Sequence, residues 1–468
     1  MRPRQPASTD THDLFRNRLE NLLDQRHELF RLAGILDWER FDETFGALYC
    51  PDNGCPGKAT RLMVGLEYLK HVHGLSDEAV VARWVENPYW QYFCGEEYFQ
   101  HRPPIDPSSL TRFRRRIGAS GCEEILKATI DAGLGSGTVK PRDLRRVTVD
   151  TTVQDKAVAF PTDSKLLNRS RVRLVKLCRR HGVVLRQSYA RKGPQALLRA
   201  NRYAHARQMR RMGRQVRRLR TYLGRVVRDI ERKTAGREDL GMVFAEELAM
   251  ARRLLVQERK GRNKLYSLHA PEVECISKGK AHRRYEFGVK VSIATTNRGG
   301  FVLGGMALSG NPYDGHTLKR ALDQVRRLTG QWIEEVFVDR GYRGHDEGEA
   351  SVYLSGQRRG IVTRRLRRCL RRRQAIEPVI GHLKSDGHLG RNWLKGVEGD
   401  RMNVLLCCAG HNLRLILRRL RIFCLWILGL GCRVRVALGI RGHPGRTGRW
   451  QTPAYGHGGV QPLVLMTP

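Results

Sequence analysis

The sequence is short of acidic residues. Its 468 residues include 46 aspartates and glutamates against 86 lysines and arginines, which gives a formal charge of +40 at pH 7. Such an excess of positive charge calls for a polyanionic partner, because each phosphate that a protein neutralises releases condensed counterions. Nucleic acid is therefore the expected partner. A membrane-surface protein and a ribosome-like RNA binder are the alternatives.

The sequence also lacks a long hydrophobic run. The longest, IFCLWILGLG at Ile422 to Gly431, is about half of the roughly 20 residues that a membrane-spanning helix needs. The polar start MRPRQPASTDTH contains no apolar core of a secretory signal. The eleven cysteines, an odd number, sit mostly in apolar or helical segments and predict reduced thiols. We therefore expect a soluble intracellular protein with no membrane contact.

Residues 12–120 are predicted to form an all-α N-terminal domain. TRLMVGLEYLKHVHG has helical spacing of its leucines and a stop at Gly74. LSDEAVVARWVENPYW should form the next helix, capped by Ser76 and stopped at Pro88, and a third helix should be capped by Ser108 or Ser109. Two helices joined by a glycine turn fit a helix-turn-helix DNA reader, and a plain helical bundle is the other interpretation.

Residues 140–425 are predicted to form an α/β domain. LRRVTVDTTVQ is β-branched and alternating, and predicts a strand that ends near Asp150. Two further runs flank Arg298-Gly299, a hairpin signal. A helix, the strand EEVFVD, a short strand in GQRRGIVTR and two more helices follow. The sheet is interrupted after its first strand by a helical Arg-rich insertion at 168–268, and an irregular tail is expected at 432–468.

The insertion holds the densest positive charge. Residues 171–233 contain 21 lysines and arginines against two acidic residues, Asp229 and Glu231. One interpretation is a DNA clamp. The other is a solvated insertion that packs on its own apolar stripe of Val216, Leu219 and Val226.

Three carboxylates carry the predicted chemistry. Asp150 and Asp339 follow apolar strands, at positions where α/β sheets gather ligands, and Glu377 lies on a helix that could cross the sheet. Two Mg²⁺ ions about 3.5–4 Å apart stabilise the attacking and leaving oxygens of an in-line phosphoryl transfer, and Mg²⁺ prefers carboxylate ligands. Taken singly, Asp339 could shape a turn, Asp150 could cap a strand end and Glu377 could form an ordinary salt bridge.

The helix in QAIEPVIGHLK places charges of both signs on one face. At 100° per residue, Arg373, Glu377 and Lys384 lie within about 40° of one another, and Pro378 falls in the first turn, where proline is tolerated. The glutamate can then face a metal while Arg373 and Lys384 hold adjacent phosphates.

Two other kinds of site are disfavoured. Cys50, Cys55, His71 and His73 have irregular spacing for zinc, and residues two apart on a helix point in different directions. A recombinase-type nucleophile at Tyr342 would leave the acidic residues unexplained.

Long stretches of the chain resemble bacterial DDE transposases of the IS5 family, within the larger IS4-like group. The resemblance covers roughly residues 12–425 and is carried by these stretches: LDWERFDETFGALY, RLMVGLEYLKHVHGLSDEAVVARWVENPYWQYFCG, VDTTVQDKAVAFPTDSKLL, FGVKVSIATTNRGGFVLGGMALSGNPYDGHTL, VDRGYRG and IEPVIGHLKSDGHLGRNWLKG. It implies an RNase H-like catalytic domain, and it implies that Asp150, Asp339 and Glu377 form the catalytic and metal-binding triad.

The resemblance also implies the partners and the cofactor. It points to Mg²⁺, for which Mn²⁺ can substitute, to double-stranded DNA as transposon inverted repeats and target, to a homodimer on DNA, and to a bacterial, nucleoid-associated protein. Arg373 and Lys384 fit the related IS4-type signature, whose tyrosine position is Leu370 here. Arg340 and Arg343, in the turn after Asp339, are further candidate DNA contacts. A catalytically inactive DNA-binding relative and an RNase H-like nuclease without joining activity are the alternatives.

Overall fold

The computed structural model describes residues 17–437 except 51–52, 54–55, 259–260, 262–263, 278–283 and 357–362, with side chains up to residue 422. The chain divides into two units, Met1–Arg421 and Ile422–Pro468. The site and its surroundings belong to the first unit.

Helices fill the described N-terminal part. They are α1 (Leu19–Leu22), α2 (Glu28–Ile35), α3 (Glu39–Gly46), α4 (Thr60–His73), α5 (Asp77–Glu86), α6 (Pro88–Phe93) and α7 (Ser108–Gly135). Gly74 ends α4 in the left-handed conformation, with φ 62°, and the Ser76 side chain accepts a hydrogen bond from the Ala79 N–H. Both end signals are confirmed, because glycine adopts positive φ freely and serine satisfies a free N–H at a helix start.

The predicted serine cap of α7 is wrong. The helix begins at Ser108, so this serine is already helical, and neither it nor Ser109 caps the helix. The Asp106 side chain takes the place of a cap and accepts a hydrogen bond from the Ser108 N–H at 2.9 Å. The helix then continues to Gly135 across a kink at Gly118, which has φ 61°.

The described sheet is mixed and has six strands. They are β1 (Arg146–Asp155), β2 (Glu274–Ile276), β3 (Glu286–Thr296), β4 (Val302–Leu308), β5 (Glu335–Val338) and β6 (Ser351–Leu354). The order is β2-β3-β1-β5-β6, with β4 also paired to β3. The pairs of β3 with β1, β2 and β4 are antiparallel, whereas β1, β5 and β6 are parallel. The hairpin around Arg298-Gly299 is confirmed as the connection between β3 and β4.

The first strand is longer than predicted. Instead of ending near Asp150, β1 continues to Asp155, so that Asp150 lies in its middle. The reason is tertiary, since β3 pairs with β1 from Val147 opposite Thr296 to Asp155 opposite Gly288. The short strand β2 was not predicted. Most of the short strand predicted in GQRRGIVTR lies outside the described residues, and β6 precedes it.

The remaining helices form two groups. The first lies between β1 and β2 and contains α9 (Asp163–Arg180), α10 (Lys192–His205), α11 (Met209–Thr234) and α12 (Glu238–Val256). The others are α8 (Pro141–Leu144), α13 (Leu318–Thr329), α14 (Arg364–Arg372), α15 (Ile376–Ser385) and α16 (Gly396–Ala437). Short 3₁₀ turns at Asp314–Thr317, Arg340–Tyr342, Arg373–Ala375 and His388–Gly390 link several of them.

Helices cover both faces of the sheet. The direction in which a side chain would leave each glycine of β4 shows what covers that face. At Gly304 it would meet side chains of α13, and at the next residue, Gly305, it would meet Val404 and Cys408 of α16. Because successive strand residues point to opposite faces, α13 and α16 lie on opposite sides. Further along α16, Gly410 packs against the backbone of His71, which joins the N-terminal helices to the sheet domain.

The insertion is helical, as predicted, and has a hydrophobic core of its own. Leu219 and Val226 are buried in this core and Val216 packs against it, so the predicted apolar stripe is confirmed. The core of the N-terminal helices and the sheet is a separate cluster. The insertion is thus a helical subdomain attached between β1 and β2.

The C-terminal helix passes the start of the predicted irregular tail. α16 continues to Ala437, five residues beyond Cys432. The rest of the predicted tail, 438–468, lies outside the described residues. Within the part of the chain that the structure describes, no helix is long and apolar enough to cross a membrane.

A buried ion network fixes the N-terminal helices. The Arg114 guanidinium lies 2.6 Å from the carboxylate of Glu67, which is fully buried, and 2.6 Å from that of Asp77. Burial alone would raise the pKa of Asp77, but the hydrogen bond from Arg114 and the charges of Lys70 and Arg114 lower it to about 2. A carboxylate with a depressed pKa stabilises the fold above its unfolded pKa of about 3.9, and this contribution is lost as the pH falls towards 2.

Replacing Arg114 with methionine should lower the free energy of unfolding by about 3–5 kcal/mol at pH 7, because Glu67 is left buried without a cation. The difference from wild type should shrink between pH 4 and pH 2, where the carboxylates become protonated. Urea denaturation at pH 7 and pH 3 measures both effects. The exposed Arg112→Met is the control, and equal stability of the two variants at pH 7 would contradict the assignment.

Candidate active site

The register of two parallel strands brings the predicted aspartates together. In the β1–β5 pair, Thr148 lies opposite Phe337. Asp150 comes two residues after Thr148, and Asp339 comes two residues after Phe337. They therefore reach the same level on neighbouring strands, which lie about 4.8 Å apart.

Asp150 is held by two hydrogen bonds. Its Oδ1 accepts the main-chain N–H of Thr151 at 2.8 Å, and its Oδ2 lies 3.2 Å from Nη2 of Arg373. Both side chains of this ion pair are mostly buried, with 15% of Asp150 and 11% of Arg373 exposed. The guanidinium therefore neutralises the carboxylate in the protein without DNA.

Asp339 stands where β5 ends and a 3₁₀ turn begins. Its Oδ1 accepts the Gly341 N–H at 2.9 Å, so the side chain caps the Arg340–Tyr342 turn. The single-residue interpretation of a turn-shaping aspartate is thus confirmed. Arg340 and Arg343, the other predicted residues of this turn, are exposed.

The helix with the third predicted carboxylate runs alongside β1. Arg373, in the 3₁₀ turn that precedes this helix, contacts Asp150, and Lys384 near the end of the helix lies 3.6 Å from Glu286, at the start of β3 and near the end of β1. Pro378 is the third residue of α15, in its first turn as predicted. Glu377 is exposed, whereas Arg373 is mostly buried. The continuous helix that was predicted to place them on one face is interrupted, because Arg373 belongs to a 3₁₀ turn and α15 begins only at Ile376.

The three predicted carboxylates are not clustered in this conformation. Among the described residues, no group of three or more His, Cys, Asp or Glu side chains lies close enough to hold a metal ion. Asp150 and Asp339 still fit Mg²⁺ by their chemistry, because this hard ion is commonly bound by one or two carboxylates together with substrate phosphates. To join them in a metal site, Glu377 would have to move from its position in this conformation.

Two charged residues that the sequence analysis did not single out lie beside these aspartates. Asp314, in the Asp314–Thr317 turn, accepts a hydrogen bond from Thr151 Oγ1 at 3.1 Å and lies 2.7 Å from Nζ of Lys290. Lys290 interrupts the apolar run FGVKVSIATT of β3. A lysine at a buried strand position predicts an acidic partner, and this signal could have led to the pair.

Tyr342 is unsuited to be a nucleophile. It is fully buried, and burial followed by the negative charges of Asp150, Asp314 and Asp339 raises the pKa of its phenol well above the usual value. Its hydroxyl lies next to the Ser292 hydroxyl of β3. This agrees with the preference for an acid-based site over a tyrosine recombinase.

The zinc alternative finds no support in the described residues. Cys50 is exposed, His71 is buried with its ring edge against His388, and His73 stacks on a tryptophan ring. Cys55 lies outside the described residues.

A second candidate surface is the exposed face of α11. Its arginines repeat at helical spacing along about 33 Å. They are Arg210, Arg211, Arg214, Arg217, Arg218, Arg225, Arg228 and Arg232. Among the described residues, Arg214, Arg217 and Arg218 form no ion pair with an acidic side chain, and with Tyr203 and Tyr222 they line a cavity of about 470 Å³. Hydrophobic packing on the opposite face of the helix leaves these charges available to an anion.

These features define an enzyme class that acts on DNA, and comparisons with known proteins agree. Residues 17–116 match the model of a transposase domain, DUF772, and residues 267–413 match that of a transposase DDE domain. The chain thus carries the domains of a DDE transposase, a class of enzyme that acts on DNA. Asp339 and Glu377 lie in the second match, whereas Asp150 precedes it.

A curated relative extends over less than half of the chain. It is an uncharacterized protein, ORF8 in the nfe locus of Rhizobium meliloti, with 58% identity over 208 residues, which are 44% of this chain and all of the relative. No solved structure matches the chain.

Replacing Arg373 with glutamine should increase the affinity of the DNA-free protein for Mn²⁺ by about 3- to 10-fold, because the cation that competes for Asp150 is removed. A change of this size corresponds to about 1 kcal/mol, since much of the attraction in a mostly buried ion pair is offset by desolvation. Isothermal titration calorimetry with Mn²⁺ measures the change. The exposed neighbour Arg372→Gln should behave like wild type. An unchanged affinity in the Arg373 variant would show that this guanidinium does not compete with the metal.

Proposed function

We propose that the protein is a Mg²⁺-dependent transposase of the IS5 type that cleaves transposon ends and joins the 3′-OH to target DNA. The observation that carries the proposal is the common level of Asp150 and Asp339 on adjacent parallel strands, with Glu377 on the helix alongside. Mn²⁺ should substitute for Mg²⁺, since both accept carboxylate oxygens.

The strand order supports an RNase H-like catalytic domain. Three strands in antiparallel succession, β4, β3 and β1, are followed in space by the parallel strands β5 and β6. The long helical insertion leaves this sheet intact, because it begins after β1 has ended and has its own core.

Mg²⁺, when bound, supplies charge stabilisation to the attacking and leaving oxygens of the phosphate. Asp150 and Asp339 are proposed to hold it, and Glu377 to complete the site by turning towards them. Arg373 then leaves Asp150 and binds a backbone phosphate, as does Lys384 after leaving Glu286. Water attacks in the first step and frees a 3′-OH, and this hydroxyl attacks target DNA in the second.

The remaining basic surfaces are proposed to bind duplex DNA. The exposed arginines of α11 extend over about the length of one turn of B-DNA, 34 Å. Arg340 and Arg343 would contact the DNA next to the cleaved phosphate, and the N-terminal helices would bind the inverted repeats. Two ends must be paired for joining, so we expect a homodimer on DNA, at the bacterial nucleoid.

Replacing Asp339 with asparagine should lower metal-dependent DNA cleavage by at least about 100-fold, since loss of even an outer-shell metal partner can cost that much. The substrate is a DNA fragment that carries the gene with its own genomic flanks, and the product to detect is a 3′-OH end at the element's boundaries. Asp346→Asn, on the exposed segment after the same turn, is the control.

The outcomes separate the alternatives. Cleavage without joined products would indicate a nuclease, and DNA binding without any cleavage by wild type would indicate a catalytically inactive relative. Undiminished cleavage by the Asp339 variant would show that the proposed site is wrong.

Replacing Arg214, Arg217 and Arg218 together with glutamine should weaken DNA binding and reduce the slope of log affinity against log salt by about 2.7, at roughly 0.9 for each phosphate contact. Fluorescence anisotropy over a range of salt concentrations measures the slope. The matched control replaces Arg145, Arg252 and Arg327, which are already paired with acidic side chains, and therefore changes the net charge equally. The same slope for both variants would contradict a specific contact along α11.

A further inference from the structure

A buried lysine fixes the turn beside the catalytic aspartates. Nζ of Lys290 donates a hydrogen bond to the carbonyl oxygen of Pro312 at 2.7 Å and lies 2.7 Å from Oδ1 of Asp314. Only 8% of Lys290 is exposed. A buried ammonium group is costly unless it is paired, so the turn and the lysine depend on each other.

Asp314 is connected to Asp150 through one residue. The Thr151 hydroxyl donates to Oδ1 of Asp314, and the Thr151 N–H donates to Oδ1 of Asp150. A shift of Asp314 would therefore move the backbone that orients Asp150.

The same aspartate supports the turn that carries Asp339. A methyl group on Gly341 would lie 3.0 Å from Oδ1 of Asp339 and 3.3 Å from Oδ2 of Asp314, so both carboxylates pack against this glycine. Next to it, the Tyr313 hydroxyl donates to the carbonyl oxygen of Arg343 at 2.8 Å. The Asp314–Thr317 turn thus packs directly behind the Arg340–Tyr342 turn.

The Tyr342 side chain lies among these groups. It is fully buried next to the Ser292 hydroxyl of β3, and the negative charges of Asp150, Asp314 and Asp339 all act on it. The three carboxylates therefore lie close enough to one buried group to act on it together.

We propose that Asp314, neutralised by Lys290, is a positioning residue that holds Asp150 and Asp339 in the orientation that binds the catalytic metal. This inference rests on the proposed function. Because Lys290 cancels the charge of Asp314, the cation is drawn to the other two aspartates. Asp314 acts through Thr151 and the Gly341 turn and does not touch the reacting phosphate.

The test compares Asp314→Ala with Asp314→Asn in the full chain, using the DNA fragment that carries the gene and its flanks. Two quantities are measured, the Mg²⁺ dependence of cleavage and the Mn²⁺ affinity of the protein–DNA complex by electron paramagnetic resonance. The alanine variant should need about tenfold more Mg²⁺ for half-maximal cleavage and cleave about 10- to 100-fold more slowly, the usual cost of losing an outer-shell partner. Its DNA affinity should stay within about twofold of wild type.

The asparagine variant should recover only part of the metal affinity, because its side-chain oxygen still accepts the hydrogen bond from Thr151 but no longer neutralises Lys290. Thr151→Val, which keeps the shape and removes the link to Asp314, should shift the Mg²⁺ dependence in the same direction and remains informative if the alanine variant does not fold. Asp323→Ala, an exposed aspartate of α13, is the control.

The results distinguish this inference from the proposed function. Mn²⁺ binding that is lost in Asp339→Asn but unchanged in Asp314→Ala and Thr151→Val would overturn the positioning role alone. Absence of any Asp339-dependent Mn²⁺ in the wild-type complex would overturn both. A cleavage loss that only follows the folded fraction, with an unchanged Mg²⁺ requirement, would also contradict the inference.

Discussion

The repulsion between carboxylates on neighbouring strands is the constraint on which the site depends. The β1–β5 register brings Asp150 and Asp339 to one level, and Asp314 lies behind them. Neighbouring negative charges in a partly buried region are stabilised by cations near them. Arg373 and Lys290 supply two, each paired with a different aspartate. The carboxylate without a cation among the described ion pairs is Asp339, so the arrangement is prepared for one more positive charge.

The same electrostatic logic explains where the remaining positive charge lies. In a chain with a charge of +40, arginines that formed permanent ion pairs with the carboxylates of the site would block metal binding. Many of them are carried by the insertion, whose separate hydrophobic core orients the arginines of α11 outward without using the packing of the sheet. The surface proposed to bind the polyanion and the site proposed to hold the metal thus belong to parts of the protein with separate hydrophobic cores. A substitution on α11 therefore need not disturb the carboxylates.

Local sequence signals were enough for part of this architecture. Gly74 and Ser76 predicted helix ends because their effects are local, and Asp339 could be placed because an apolar strand and a glycine turn flank it. Asp150 was misplaced to a strand end because the continuation of β1 depends on β3, more than a hundred residues away. The Lys290–Asp314 pair was missed for the same reason, since only the folded sheet brings the lysine to the turn. Whether Glu377 joins the aspartates depends on a movement that no sequence pattern specifies.

The most direct test of the account is the position of a bound cation. Crystals of the protein with a DNA end and Mn²⁺ would locate the ion by its anomalous scattering. The account predicts a peak in contact with carboxylate oxygens of both Asp150 and Asp339 and with a DNA phosphate. A peak that contacts neither aspartate would contradict the central claim that these two strands form the catalytic metal site.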